Sequence, residues 1–302
     1  FKPKKNSEKL ILTGKFLNDK ISIKLDNNKT SKKILLIKME DSNIYLKADI
    51  VNTSNDGDFK GNLLLKKDKN NLSSQIIYKE NKLNFLNASL RNPFLDGKFS
   101  GIIKFLPFFD FNLDFNLNGL NFTKFYNFFT TLDKNKIFKV NKKINGKVSL
   151  SSNKLYSKYN IVNSFESRLK FVNGDVLIEQ LLLNMGKLGA ADITGMIENN
   201  KKFTSLKFEK NIFIDNLKVF YNKFGIYNKE KKSTSLFVEG NLDLIDLNLR
   251  LLEISNEEKL KEDDISYIER EFNEILLEDG YISFFDFKKL KEFVKTVTTE
   301  TN

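Results

Sequence analysis

Acidic residues near the C-terminus have the types and spacing that come closest to a chemical site. In Asp279-Gly-Tyr-Ile-Ser-Phe-Phe-Asp286, four residues match the second half of an EF-hand calcium loop, among them Ile282 at position 8. Asp279 stands at position 5, Gly280 at the turn position and Asp286 at position 12. Such a loop also needs oxygen ligands at positions 1 and 3, which here are Ile275 and Leu277. The segment therefore predicts a turn between two helices, without a metal site.

Catalysis by the common side-chain systems is excluded by composition. The sequence contains no His and no Cys, which removes the serine-histidine and cysteine-histidine nucleophile systems. A hydrolase would have to work with carboxylates alone. Asp263 and Asp264 form such a pair, but they begin a predicted helix, where acidic side chains oppose the macrodipole favourably. We expect a protein that is not an enzyme and that needs no cofactor.

The net charge of +11 comes from lysine rather than arginine. Only four of the fifty basic residues are arginine, and the lysines are spread along the chain among Asn and Ile. Specific recognition of bases and phosphates relies on the bidentate guanidinium group. The composition indicates a solvated lysine-rich surface, with attraction to an anionic membrane as the alternative. We expect no nucleic-acid partner.

Alternation of apolar and polar residues dominates the chain up to residue 255. Residues 111–118 place Phe and Leu on one side and only Asn or Asp on the other. Since side chains alternate along a strand, this pattern predicts half-buried antiparallel strands with one solvated face. The predicted fold is mainly β: a long twisted antiparallel sheet curled into an open groove, with a short crossover helix over residues 122–136.

Two longer apolar runs change phase midway. Leu242 and Leu244 share one parity, whereas Leu247 and Leu249 share the other, and a similar change follows Ile178. An extra residue that keeps the apolar set on one face is typical of a β-bulge, so both runs are predicted to be bulged strands.

Turn residues and a change of composition divide the chain further. Asn145-Gly146, Asn173-Gly174 and Asp96-Gly97 predict hairpin turns. After Ser255 the sequence becomes acidic, with apolar residues at helical spacing over 257–277 and a second helix from 285 or 286 to about 297. We therefore divide the chain into a β-groove domain (1–255) and a helical module (256–302).

The alternating apolar sets are the predicted lining of the groove. They are Phe111, Leu113, Phe115, Leu117, Val148, Leu150, Val176, Ile178, Leu242, Leu244, Leu247 and Leu249. In the alternative, the same residues pack against each other in a closed core, as in a structural or adhesion-type β protein.

The stretch from Phe111 to Gly195 resembles the C-terminal part of AsmA-like proteins of Gram-negative envelopes, which TamB-like long β-groove proteins resemble in turn. The likeness lies in the alternating strand from Phe111, in Ile144-Asn-Gly-Lys-Val-Ser-Leu150, in residues 165–178 and in residues 183–197. Phe237-Val-Glu-Gly-Asn-Leu-Asp-Leu244 repeats this sequence pattern. The acidic segment after Ser255 has no counterpart in it.

The resemblance implies a periplasmic body anchored to the inner membrane, envelope protein partners and a role in outer-membrane homeostasis through phospholipid transport. The sequence opens on Phe1 rather than Met and contains no apolar run of about 18 residues. We expect an N-terminal anchor upstream of Phe1.

Overall fold

The computed structural model describes residues 2–6, 9–16, 19–27, 32–53, 57–131, 140–157, 161–199, 204–256, 258–279 and 287–300. The chain divides into two compact units, residues 1–125 and 126–302. This division differs from the predicted boundary near Ser255, because the helices that follow this residue belong to the second unit. The prediction of a mainly β protein with an open sheet and few short helices is confirmed.

The described residues of the first unit form ten strands, and each strand pairs with its neighbours in sequence. All nine pairings are antiparallel. The strands are β1 (Lys2–Asn6), β2 (Lys9–Phe16), β3 (Asp19–Asn27), β4 (Lys32–Met39), β5 (Ile44–Asn52), β6 (Phe59–Lys67), β7 (Asn70–Lys79), β8 (Lys82–Arg91), β9 (Leu95–Lys104) and β10 (Asp110–Asn121). Helix α1 (Phe122–Thr130) follows β10 directly, and residues 132–136 of the predicted crossover helix lie outside the described residues.

The second unit is also an antiparallel meander, with helices towards its end. Its strands are β11 (Asn145–Ser152), β12 (Leu155–Tyr156), β13 (Ser164–Val172), β14 (Asp175–Asn184), β15 (Ala190–Asn199), β16 (Thr204–Ile214), β17 (Thr234–Asp243), β18 (Leu249–Asn256) and β19 (Glu258–Lys259). Its helices are α2 (Leu217–Lys223), α3 (Glu262–Asp279) and α4 (Phe287–Glu300).

Of the two predicted bulged strands, one is confirmed and one is wrong. The register of β14 against β15 shifts between Ile178 and Leu181, as a bulge requires. The run from Leu242 to Leu251 is a hairpin instead, in which Leu242 pairs with Leu249. The Asp243 carboxylate accepts hydrogen bonds from the backbone N–H groups of residues 245 and 246, at 2.8 and 2.9 Å, and so stabilises the turn. The change of phase in the apolar pattern between Leu244 and Leu247 therefore reflects a turn between two strands, not a bulge within one strand.

The predicted glycine turns have mixed outcomes. Asn173 and Gly174 form the β13–β14 hairpin with φ angles of 52° and 98°, which is the type I′ geometry. Asn145-Gly146 begins β11 and Asp96-Gly97 lies inside β9, so these two predictions are wrong. At position 97 the glycine allows close strand approach, because a Cβ atom there would lie 2.7 Å from the backbone of Leu117.

Helix α3 packs on the last strands of the second unit and covers their edge. It begins at Glu262 rather than at 257, because β19 first pairs with the end of β18. Asn273 accepts a hydrogen bond from the Leu249 N–H at 2.7 Å and donates one to the Leu249 carbonyl at 2.8 Å. Glu269 accepts one from the Leu251 N–H at 2.7 Å. The helix thus binds backbone groups that an edge strand otherwise leaves unpaired.

One buried carboxylate fixes a turn in the first unit. Asp19, at the start of β3, accepts hydrogen bonds from the backbone N–H groups of Asp41 and Ser42 at 2.9 and 3.0 Å. These residues form the β4–β5 turn. Hydrogen bonding, above all from the Ser42 side chain, holds the pKa of Asp19 below its ordinary value.

Candidate functional site

One face of the first unit carries an unbroken apolar row across nine strands, from β2 to β10. Residues directly opposite each other on paired strands point to the same side of a sheet, so the registers define the row. It runs Leu12, Ile23, Ile37, Leu46, Leu65, Leu72, Leu90, Gly97 and Leu117. We call this side of the β2–β10 sheet the first apolar face.

Aromatic side chains extend the first apolar face over β8, β9 and β10. The rings of Phe85 and Phe99 lie 5.5 Å apart, and those of Phe99 and Phe115 stack at 5.2 Å. The register places Phe111, Leu113, Phe115 and Leu117 together on this face, in line with their alternation in the sequence. Leu117 is buried, whereas the other three are half-buried.

The side chains of the row are half-buried from Leu12 to Leu90. An apolar face that a second layer covers is buried, as the helix-covered strands of the second unit show. The row therefore keeps partial contact with solvent, although Ala48, Ile76, Ala88 and Phe99 on the same face are buried.

The opposite side of the first unit is mostly polar. By register it carries Lys9, Lys24, Lys38, Lys47, Lys60, Lys66, Lys98 and Asp114, among others. Some of these lysines pair with acids, as Lys9 does with Asp26 at 3.5 Å. The sheet therefore has one solvated side and one apolar side.

The second unit has an apolar face of its own, formed by β11 and β13–β18. Val148, Leu150, Val176 and Ile178 lie on it, as their alternation indicates. We call this side the second apolar face. Val176 is buried and the other three are half-buried.

Part of the second apolar face is closed by helix α3. Leu242, Leu244, Leu247 and Leu249, which the sequence placed in an open groove, are buried in one cluster with Leu251, Ile254, Ile265 and Leu276. The last two belong to α3. These four residues thus contribute to a closed core in this structure, because the helical segment supplies the covering layer.

A single lysine interrupts the second apolar face. Lys210 on β16 lies opposite Ile193 on one side and Val238 on the other. Among the described strands of this face, it is the one charged residue on the paired rows. No carboxylate of a described residue lies within ion-pair distance of its ammonium group. Burial lowers the pKa of Lys210 from its ordinary value.

The acidic candidates of the sequence form no metal site in the described part of the chain. Asp263 and Asp264 lie in the first turn of α3, as predicted. Residues 280–286, which hold most of the EF-hand-like segment, lie outside the described residues. Within the ranges that are described, no group of three or more acidic side chains is arranged to hold a metal ion, and no helix is long and apolar enough to cross a membrane.

Comparison with known proteins gives no match: no family model, no curated protein and no solved structure is similar to this chain.

Proposed function

We propose that this chain is a non-enzymatic protein of the Gram-negative envelope that carries phospholipid along its apolar faces. The observation that carries the proposal is the unbroken, half-buried row from Leu12 to Leu90, backed by a polar opposite side. A monomeric soluble protein rarely exposes a large contiguous apolar surface unless that surface binds something.

The size of the first apolar face suits acyl chains. Neighbouring strands lie about 4.8 Å apart, so a row across nine strands extends roughly 38 Å along the sheet. The hydrocarbon core of a bilayer is about 30 Å thick and holds two layers of acyl chains. Each CH₂ group moved from water onto such a face contributes about 0.8 kcal/mol. On a continuous strip an acyl chain gains this free energy at every position. The chain can therefore move along the strip without returning to water.

Lys210 supports a phospholipid rather than a neutral lipid as the cargo. It places one positive charge, unpaired among the described residues, within an otherwise apolar surface. The phosphate of a phospholipid whose acyl chains lie on that surface would compensate this charge.

The periplasmic location, the inner-membrane anchor before Phe1 and the envelope protein partners belong to the same proposal. They rest on the resemblance to AsmA-like proteins. The division into an apolar and a solvated side suits a protein that shields acyl chains while it stands in water.

A structural or adhesion-type protein without lipid cargo is the second candidate. The cluster beneath α3 favours it, since there the apolar face is closed by the chain itself. On this account the first apolar face would pack against another protein.

Lipid extraction and mass spectrometry of the purified protein test the proposal. We expect phospholipid in the wild-type extract and a reduced ratio of phospholipid to neutral lipid in Lys210→Met. Lys147→Met is the matched control, because Lys147 is exposed on the polar side of β11. A wild-type protein free of lipid after gentle purification contradicts the proposal and favours the structural candidate.

A further inference from the structure

The turn between β9 and β10 is formed largely of exposed apolar side chains. It comprises Phe105, Leu106, Pro107, Phe108 and Phe109. The exposed fractions of the four large side chains are 44% for Phe105, 58% for Leu106, 78% for Phe108 and 38% for Phe109. We call residues 105–109 the hairpin tip.

Two other turns of the same unit are polar, as solvated turns usually are. The β6–β7 turn consists of Asp68 and Lys69, and the β7–β8 turn consists of Glu80 and Asn81. The second of these lies beside the hairpin tip, since the Phe105 N–H donates a hydrogen bond to the Asn81 carbonyl at 3.0 Å. The hairpin tip thus differs from both of these turns in its apolar composition.

Neighbouring aromatic rings connect the hairpin tip to the first apolar face. The Phe105 and Phe109 rings lie 6.3 Å apart, and the Phe109 and Phe111 rings lie 6.1 Å apart. Phe111 belongs to the first apolar face by register. An apolar surface therefore continues from the turn onto the sheet.

The area and the surrounding charge of the hairpin tip fit a lipid bilayer better than a protein partner. At about 200 Å² per large side chain, the exposed fractions give roughly 400 Å² of apolar surface. A stable protein interface needs about 800 Å² from each partner. Lys79, Lys82 and Lys104 lie at the adjacent strand ends with two acids, Glu80 and Asp110. Lys79 pairs with Glu80 at 3.6 Å, and the five side chains together carry a net charge of +1, the sign that an anionic surface attracts.

We propose that the hairpin tip inserts into the interface of a phospholipid bilayer. Phe108 and Leu106 enter the boundary between headgroups and acyl chains, while the lysines stay at headgroup level. The insertion is independent of lipid carriage. If the first apolar face does bind phospholipid, the neighbouring rings of Phe105, Phe109 and Phe111 give a lipid a continuous apolar path from the bilayer to the sheet.

The absence of Trp from the sequence makes a direct test possible. Phe108→Trp introduces a single tryptophan at the hairpin tip, and Tyr227→Trp introduces one at a control position; excitation near the red edge of tryptophan absorption avoids the tyrosines, of which the wild-type chain has nine. Tyr227 is 79% exposed, close to the 78% of Phe108, but it lies in the second unit. With vesicles of phosphatidylcholine and phosphatidylglycerol, the emission of the Phe108→Trp variant should shift to the blue and be quenched by brominated acyl chains. The emission of the Tyr227→Trp variant should not change.

Vesicle binding by variants that lack the tryptophan probe provides the second measurement. We expect Phe108→Ser to lower the vesicle partition coefficient about tenfold, because it removes one large apolar side chain from the bilayer. Tyr227→Ser should leave the coefficient unchanged, and circular dichroism should show the same fold for both variants. Insertion is refuted if the Phe108→Trp fluorescence is not quenched, or if Phe108→Ser binds vesicles like the wild type. A wild-type dimer that Phe108→Ser converts to a monomer, without vesicle binding, assigns the hairpin tip to self-association instead.

The two proposals fail separately. Lipid-free protein that still inserts the hairpin tip contradicts phospholipid carriage alone. Protein that carries phospholipid but shows no quenching in the Phe108→Trp variant contradicts insertion alone.

Discussion

The same substitution should have very different costs on the open and on the helix-covered apolar surface. Leu65 lies in the middle of the first apolar face between Leu46 and Leu72, and it is half-buried. Leu249 is only 6% exposed and belongs to the closed cluster beneath α3. We compare Leu65→Lys with Leu249→Lys, in which the residue removed and the residue introduced are identical.

The expected loss of stability at each position follows from the surroundings of the leucine side chain. Complete burial of a leucine side chain contributes about 1.5–3 kcal/mol, and a half-buried one contributes part of this. On an open face the lysine stem covers apolar surface while its ammonium group reaches water, so Leu65→Lys should cost about 1 kcal/mol. In the closed cluster the loss of leucine packing costs about 2–5 kcal/mol, and an unpaired buried charge adds to it. Leu249→Lys should therefore cost at least about 4 kcal/mol.

Urea unfolding followed by circular dichroism measures both costs, with each transition assigned to its unit by hydrogen exchange. Leu65→Lys should keep the wild-type fold and lose bound lipid. Leu249→Lys should lower the midpoint of the second unit strongly. Equal, large losses of stability at the two positions would show that the first apolar face is a closed core and would contradict an open lipid-binding face.

Three further predictions concern single side chains. Lys210→Met should stabilise the second unit by about 1 kcal/mol in thermal melts, because the desolvated ammonium group is removed; a lower midpoint would contradict this. The pKa of Asp19 lies below its ordinary value, so its stabilising effect is present above about pH 4 and is lost as the pH falls through the lower folded pKa. Asp19→Asn should thus lower the thermal midpoint at pH 7, with a difference that shrinks in acid; a constant difference would contradict the assignment. Asn273→Ala should cost about 2 kcal/mol and speed hydrogen exchange at the Leu249 amide, because both backbone groups of Leu249 lose their partner; unchanged exchange there would count against edge capping.

The fold class could be predicted from the sequence because alternation is a local property. Residues 111–117 show their shared face in the sequence, and the structure places them together. The partner strands were not predictable in this way, since register depends on residues far apart. The nine-strand row that includes Leu12 and Leu72 therefore appears only when the strands are paired.

The residues that were predicted to line the groove but lie in the cluster beneath α3 share one physical explanation. Leu242 and Leu249 have the same alternating pattern as an open face, and the pattern does not show what covers it. The covering helix α3 was predicted, but its packing on β18 depends on tertiary contacts such as those of Asn273. Lys210 did leave a signal in the sequence: it takes an apolar position in the alternation of residues 204–214.

Photo-crosslinking from adjacent positions of β6 shows directly whether phospholipid binds the first apolar face. A photoreactive amino acid at position 65 lies on the first apolar face, whereas one at position 64 lies on the polar side opposite Lys47 and Ser73. With phospholipid vesicles present, the proposal predicts phospholipid adducts from position 65 and none above background from position 64. No adduct from position 65, or equal yields from the two positions, would contradict phospholipid binding on this face.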